Sequence, residues 1–173
     1  MVVREVILLG DPRLRIKSSK IQDFTQLEQI LIDLKDTLTE QQKLYGMGRG
    51  IAASQIGYNV RVIYIQMPDR CFYLVNPLIR SRSIETFEVW DSCFSFEVAF
   101  FVKIKRSTTV KVSYFDEHSV EYFEEFKNGM SELLQHEIDH LEGIVCSDHI
   151  KDPQDIAIRK EWAKRYRTQG IGM

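Results

Sequence analysis

Residues 135–143 read QHEIDHLEG, within a segment whose apolar periodicity predicts a helix. On a helix, His136 and His140 lie four positions apart, so both imidazoles project from one face about one turn apart. Such a pair can hold one metal ion. Glu137 is displaced around the helix axis, too far to ligate but near enough to accept a proton from a metal-bound water. The motif therefore predicts a metal-dependent hydrolase with Glu137 as the general acid/base.

A catalytic metal site usually has three protein ligands and one open position, so a third ligand must come from elsewhere. The candidates are Cys93, Cys146 and His149. Cys146 stands where the metzincin pattern HExxHxxGxxH has its third histidine, which would make the chain a zinc endopeptidase, but that family also needs a methionine turn downstream. Cys93 lies within DSCFS (91–95), in a region predicted to be sheet, from which a thiolate can reach the helix. Spacing alone does not choose between the two thiols.

Composition limits the class of protein and its partners. The 173 residues, 44% of them hydrophobic, fit one domain covering residues 1–173 with a sizeable core. Twenty-three Lys and Arg against 25 Asp and Glu give a net charge of −2, so no overall field favours DNA or an anionic membrane. No apolar run is long enough for a signal or membrane segment. Three separated cysteines indicate a reducing compartment, the cytoplasm or an organelle.

The periodicity along the chain predicts helix, then strands, then helix, which is an α+β order. An amphipathic helix is expected at 26–45, followed by a glycine-rich loop at 46–57. A β-hairpin at 61–67 and 71–75 and four further strands at about 84–90, 100–105, 108–115 and 119–126 come next. Helices at 130–142 and 153–167 close the chain. We expect mixed or antiparallel sheets packed around the central HExxH helix, with an N-terminal and a C-terminal helix beside them.

Three segments together resemble the peptide deformylase family. GRGIAASQ at 48–55 is similar to its GxGxAAxQ motif, DSCFS at 91–95 to its EGCLS motif, and QHEIDHLEG to its HExDH motif. GDPRLR at 10–15 and VNP at 75–77 fit the same order, so the resemblance spans nearly the whole chain. The family removes the N-formyl group from the first methionine of nascent peptides and releases formate.

The resemblance implies a role for individual residues. It assigns metal ligation to Cys93, His136 and His140, which selects Cys93 as the third ligand, and acid/base catalysis to Glu137. The oxyanion donors would be the Gln55 side chain and the backbone N–H of Phe94. The substrate-binding residues would be Arg49, Gly50 and Leu133, with Gly50 in a backbone that pairs with the peptide like an added strand.

The resemblance also implies the cofactor and the partners. Bacterial members commonly use Fe²⁺, whereas one cysteine and two histidines would by themselves suggest Zn²⁺, and Ni²⁺ or Co²⁺ is also possible. The partners would be N-formylmethionyl nascent peptides. A basic C-terminal helix could contact ribosomal RNA, although most such helices are simply solvated faces.

Several positions depart from the family pattern. Asp91 and Ser92 replace the Glu and Gly of the second motif, and Phe94 replaces its Leu. Arg49 stands at a position that is usually apolar, and Phe101 stands where an arginine is often found. We expect the shorter Asp91 to reach the strand arginine, Arg106, less well. These departures leave open a catalytically weakened, peptide-binding relative of the deformylases.

Overall fold

The computed structural model describes residues 3–167, which contain eight β-strands and three α-helices. The strands in chain order are β1 (Gly50–Ala52), β2 (Val62–Gln66), β3 (Cys71–Arg82), β4 (Thr86–Asp91), β5 (Phe100–Ser107), β6 (Thr109–Phe115), β7 (Glu121–Lys127) and β8 (Ile156–Ile158). The helices are α1 (Leu27–Tyr45), α2 (Asn128–Leu141) and α3 (Arg159–Arg165). A five-stranded sheet has the order β1-β2-β3-β6-β7 and a three-stranded sheet the order β4-β5-β8, and neighbouring strands are antiparallel.

Strand β2 shows why the larger sheet is covered on both faces. Its sequence VIYIQ has no polar alternation, which is typical of a strand that is buried on both sides. Val62 and Tyr64 pack in the apolar cluster that includes α1 residues, whereas Ile63 and Ile65 pack in the cluster that includes α2 residues. The larger sheet is therefore a layer between α1 and α2.

Helix α2 is the central element, as the sequence predicts. It contacts strands of both sheets, and every residue from Ser131 to Leu141 is buried. Leu134 and Ile138 pack against the larger sheet, in the same cluster as Leu133 and Leu141. A helix buried on all sides has no solvated face for its polar residues, so the histidines and acids of QHEIDHLEG must find partners inside the protein.

The predicted N-terminal helix and hairpin are confirmed. Helix α1 ends at Tyr45, and Gly46 follows with a left-handed φ of 67°, as expected for a residue that terminates a helix. Strands β2 and β3 pair in antiparallel register. Strand β3 continues past Pro77, but its register with β6 shifts between Val75 and Leu78 because proline has no N–H for the ladder.

The prediction of a helix over 153–167 is wrong in its first half. Ile156–Ile158 form β8, which pairs with β5, and α3 begins only at Arg159. The edge of the smaller sheet offers hydrogen bonds to this β-branched segment, and tertiary pairing overrides the helical pattern. Trp162 of α3 stacks on Phe101 with ring centroids 3.8 Å apart, which fixes the helix to the sheet. Residues 168–173 lie outside the described residues.

Among residues 3–167, no helix combines the length and the hydropathy that a membrane crossing requires.

The N-terminal segment crosses the end of α2 at very short range. The Ser18 N–H donates to the carbonyl of Leu141 at 2.8 Å. Gly143 follows α2 with a φ of 76°, and a Cβ added to it would lie 2.5 Å from the carbonyl oxygen of Arg15. Only glycine provides both the left-handed backbone and the space for this crossing.

We predict that Gly143→Ala destabilises the protein more than Gly46→Ala does. Both substitutions place alanine in left-handed backbone, which costs about 1–2 kcal/mol. An added Cβ at Gly46 meets nothing within 4 Å, so Gly46→Ala isolates the backbone effect. The clash with Arg15 adds about 1 kcal/mol or more at Gly143. Urea unfolding of both variants measures the difference, and equal losses in free energy of unfolding would show that the crossing is not tight.

Candidate metal centre

The structure brings the sulfur of Cys93 together with two imidazoles of α2. Cys93 follows β4 and precedes a 3₁₀ helix over Phe94–Phe96. Its Sγ lies 3.1 Å from His140 Nε2, and that nitrogen lies 3.2 Å from His136 Nε2. All three residues are buried. Three atoms with lone pairs thus converge on one buried point.

The donor set fits a divalent ion. The three ligand atoms lie within 4.8 Å of one another. Tetrahedral bonds of about 2.0–2.3 Å place neighbouring ligand atoms about 3.3–3.8 Å apart, so the observed spacing needs only a small expansion. Three protein ligands leave the fourth position for a water or a substrate, which is the arrangement of a catalytic rather than a structural site.

The other two candidate ligands lie elsewhere. Cys146 groups with Asp91 and His136, and within residues 3–167 it does not join His136 and His140 in one cluster. His149 places its Nε2 2.8 Å from Asp139 Oδ2. The geometry therefore does not support a site in which Cys146 is the third ligand, as the endopeptidase alternative requires.

A chain of charged groups contacts His136 through Nδ1, the ring nitrogen that does not face His140. His136 Nδ1 lies 2.8 Å from Asp91 Oδ1, and Asp91 Oδ2 accepts a hydrogen bond from Arg106 at 3.0 Å. Arg106 also donates to Asp139 at 2.5 Å, and Asp139 in turn contacts His149. Asp91 therefore reaches Arg106 in spite of its shorter side chain. A carboxylate behind a ligating histidine fixes the ring and increases its basicity.

The roles of Asp139 and His149 in this chain of charges are not among the predictions from sequence. A signal was available for Asp139, because an acid in a motif on a fully buried helix needs a cationic partner. His149 lies ten residues further along the sequence, and no pattern relates the two.

Cys93 is held in a setting that favours its thiolate. Burial raises the pKa of the thiol, but the charge of His140 and hydrogen bonds from both histidines outweigh burial and lower the pKa below its usual range. Gln55 Nε2 lies 3.2 Å from the sulfur, and the Gln55 carbonyl accepts the N–H of Ala52 at 2.9 Å. Because Gln55 Oε1 accepts the N–H of Ala52, the NH₂ end of the amide faces the Cys93 sulfur.

Glu137 lies beside the cluster and has the properties of a general base. Burial raises its pKa to about 7, so it can both accept and release a proton near neutral pH. Its Oε2 is buried and has no hydrogen-bond partner among residues 3–167. A Cβ added to Gly50 would lie 2.8 Å from Glu137 Oε1. Glycine at position 50 thus leaves the space that the carboxylate occupies.

A cleft of about 380 Å³ opens beside these groups. The residues that sequence analysis placed in the site line it, and they are Arg49, Gly50, Gln55, Cys93, Phe94, Leu133, His136 and Glu137. His140 lies behind them, 1% exposed.

The far wall of the cleft is aromatic and comes partly from the C-terminal segment. Trp162 stacks on Phe101, and Tyr166 stacks on Trp90 with ring centroids 4.5 Å apart. All four rings line the cleft. Trp162 and Tyr166 are not among the site residues predicted from sequence, because their proximity depends on how α3 folds back over the smaller sheet.

The fold and the site together define a metal-dependent hydrolase in which one cysteine and two histidines could hold the ion beside a buried glutamate. The polypeptide deformylase family matches residues 3–155, and the chain belongs to this family of enzymes that remove N-formyl groups. A peptide deformylase of Brucella suis is 34% identical over 92% of each chain.

Solved structures agree with the family assignment. The peptide deformylase of Legionella pneumophila has a TM-score of 0.80 at 28% identity and covers 89% of each chain. A peptide deformylase of Acinetobacter baumannii, crystallised with Met-Ala-Ser bound, has a TM-score of 0.78 at 26% identity and covers 86% of this chain and 99% of its own.

We predict that Cys93→Ser loses bound metal, whereas Cys146→Ser retains it. The first substitution removes the sulfur that lies 3.1 Å from His140, and the second removes a thiol that lies outside the ligand triad. Metal content per chain after dialysis, measured by elemental analysis, distinguishes the two variants. Both cysteines are buried, so a loss of folding is a shared risk that unfolding curves control. Retention of metal by Cys93→Ser together with its loss from Cys146→Ser would reassign the third ligand.

Proposed function

We propose that this chain uses Cys93, His136 and His140 to hold a divalent ion and Glu137 to hydrolyse the formyl amide of N-formylmethionyl peptides. The observation that carries the proposal is the convergence of the three ligand atoms beside the buried Glu137 carboxylate, whose Oε2 has no hydrogen-bond partner in the described part of the chain. The reaction yields formate and a peptide with a free amino terminus.

An ion at this centre supplies a Lewis acid that lowers the pKa of a water and polarises the formyl carbonyl. Glu137 accepts the proton of the attacking water and passes it to the peptide nitrogen as the C–N bond breaks. The Gln55 amide and the backbone N–H of Phe94 donate to the carbonyl oxygen as it gains negative charge. Asp91 keeps the ring of His136 oriented toward the ion.

The peptide would bind along the edge strand of the larger sheet. Strand β1 is the terminal strand in the order β1-β2-β3-β6-β7, so its outer edge can pair with an extended chain. Gly50 is the first residue of β1 and lies next to Glu137. Backbone pairing there places the amino terminus of the peptide at the catalytic carboxylate.

We propose Fe²⁺ as the native ion, with Zn²⁺, Ni²⁺ and Co²⁺ as ions that the same ligands can hold. A thiolate and two imidazoles suit each of these ions. We also propose that residues 1–173 form one catalytic domain. A cytoplasmic location, where nascent chains leave the ribosome, is part of the same proposal.

We predict that metal-loaded protein releases formate from formyl-Met-Ala-Ser and that Glu137→Ala lowers kcat by about 10²-fold or more, because the proton acceptor is lost. Nickel-loaded or anaerobically prepared protein avoids oxidation during the assay. Metal content is the control, since Glu137 is not one of the three ligands and its loss leaves them in place. Formate release that is unaffected in Glu137→Ala would contradict the mechanism. Peptide binding without formate release would support the weakened, peptide-binding alternative.

A ribosome contact through the C-terminal helix is the second part of the proposal. Lys160 and Lys164 are exposed on α3, whereas Arg159 donates to the carbonyl of Tyr45 at 2.6 Å and Arg165 pairs with Glu161. The two lysines are therefore the residues to test. Truncation after Asp152 would remove β8 and Trp162 together with the lysines, so it would disturb the fold.

We predict that Lys160→Glu/Lys164→Glu reduces co-sedimentation with ribosomes and weakens its dependence on salt, because each lysine that faces a phosphate releases a counterion. Lys20→Glu/Lys35→Glu, two exposed lysines outside α3, is the control with the same charge change. Formate release from a free tripeptide reports that the fold is intact. Equal co-sedimentation of both variants would remove the ribosome from the list of partners.

A further inference from the structure

An ion pair lies in the cleft wall, one turn of α2 before His136. Arg49 Nη2 lies 2.5 Å from Glu132 Oε2, and Arg49 Nη1 donates to the carbonyl of Gly129 at 3.1 Å. The two charged side chains are only 16% and 9% exposed. Both residues line the cleft together with His136 and Glu137. A peptide in the cleft therefore meets a largely buried pair of charges.

The pair lies next to the groups that would hold and attack the formyl amide. Arg49 immediately precedes Gly50, which is next to the Glu137 carboxylate. Glu132 lies four positions before His136, so the two project from the same face of α2. In a formylated peptide, the first side chain branches from the carbon that follows the amide nitrogen. With the formyl carbon at the metal centre, that side chain would enter the part of the cleft that Arg49 and Glu132 line.

The pair distinguishes between apolar and polar side chains. An apolar side chain would exclude the remaining water from both charges and would replace none of its hydrogen bonds, which is unfavourable. A guanidinium has five N–H donors. Two of those of Arg49 bond to Glu132 and Gly129, and the other three have no protein acceptor within residues 3–167. An oxygen acceptor on the first side chain can use them.

We propose that Arg49 and Glu132 are specificity-determining residues that favour formylated peptides whose first side chain is polar, uncharged and about as long as methionine, with an oxygen acceptor near its end. Glutamine and methionine sulfoxide have this chemistry. Formylmethionine remains a substrate, but a less favoured one. The inference rests on the proposed function, because it concerns which formyl peptide the same centre hydrolyses.

The test compares kcat/KM for peptides formyl-X-Ala-Ser that differ only in X. Norleucine is the apolar side chain of matched length, methionine sulfoxide and glutamine carry the acceptor, and alanine tests for a merely small subsite. A hydrogen bond to a charged group corresponds to about tenfold or more in kcat/KM. We expect the sulfoxide and glutamine peptides to exceed the norleucine peptide by about that factor.

The double substitution Arg49→Leu/Glu132→Leu removes both charges without leaving either one unpaired. We expect it to reverse the order, so that the norleucine and methionine peptides become the better substrates. Arg70→Gln/Glu124→Gln removes an ion pair of the same residue types whose atoms lie 3.4 Å apart and whose side chains are 46% and 32% exposed. This control double variant lies outside the cleft lining and should keep the wild-type order.

Binding of the same peptides to metal-loaded Glu137→Ala, measured by calorimetry, separates the inference from the proposed function. Tighter binding of the sulfoxide and glutamine peptides than of the norleucine peptide, without any formate release by the wild type, would support the subsite and count against the proposed function. If the wild type releases formate but has its highest kcat/KM for the norleucine or alanine peptide, the subsite is overturned and the proposed function stands. An order that does not change in Arg49→Leu/Glu132→Leu, or the absence of binding by every peptide, would also overturn it.

Discussion

The structure depends on holding one thiolate and two imidazoles within a few ångströms of one another inside the protein. Buried polar atoms at this distance are unfavourable unless a cation lies between them. The two imidazoles come from a single helix, so helix geometry places them on one face, and Asp91 orients the ring of His136. The sulfur comes from the end of a strand in the smaller sheet. The position of that sheet against α2 therefore decides whether the centre exists, and the packing of α2 against both sheets is the condition for the chemistry.

The buried charges around α2 follow from this arrangement. Because α2 is buried from Ser131 to Leu141, Glu132, His136 and Asp139 pair with charged residues from other elements, whereas Glu137 Oε2 has no hydrogen-bond partner among residues 3–167. Arg106 of β5 lies between Asp91 and Asp139, so one cation compensates two carboxylates. Arg106 thereby connects Asp91, which contacts His136, to Asp139 in the last turn of α2. Buried hydrogen bonds between charged groups restrict the motion of each partner, which makes the site rigid as well as charged.

Much of this could be predicted from the sequence, for identifiable reasons. The HExxH spacing predicts two ligands and a base because helix periodicity is local. The α+β order and the hairpin follow from periodicity and turn residues. The choice of Cys93 over Cys146 did not follow from spacing, because it depends on how β4 approaches α2, and only the family resemblance indicated it. Strand β8 was mistaken for helix, since pairing with β5 is a long-range interaction that no local pattern records. For the same reason, the aromatic wall of Trp162 and Tyr166 and the partnership of Asp139 with His149 could not be read from sequence.

The aromatic wall has a consequence for how the cleft is completed. The ligands and the base are complete once residue 140 has been made, but β8 and α3, which supply Trp162 and Tyr166, are synthesised after them. The two sides of the cleft therefore come from distant parts of the chain, and the second side exists only when the C-terminal segment has folded back against β5. Local unfolding of β8 and α3 would open the cleft on that side, whereas the three candidate ligands and Glu137 lie on other elements.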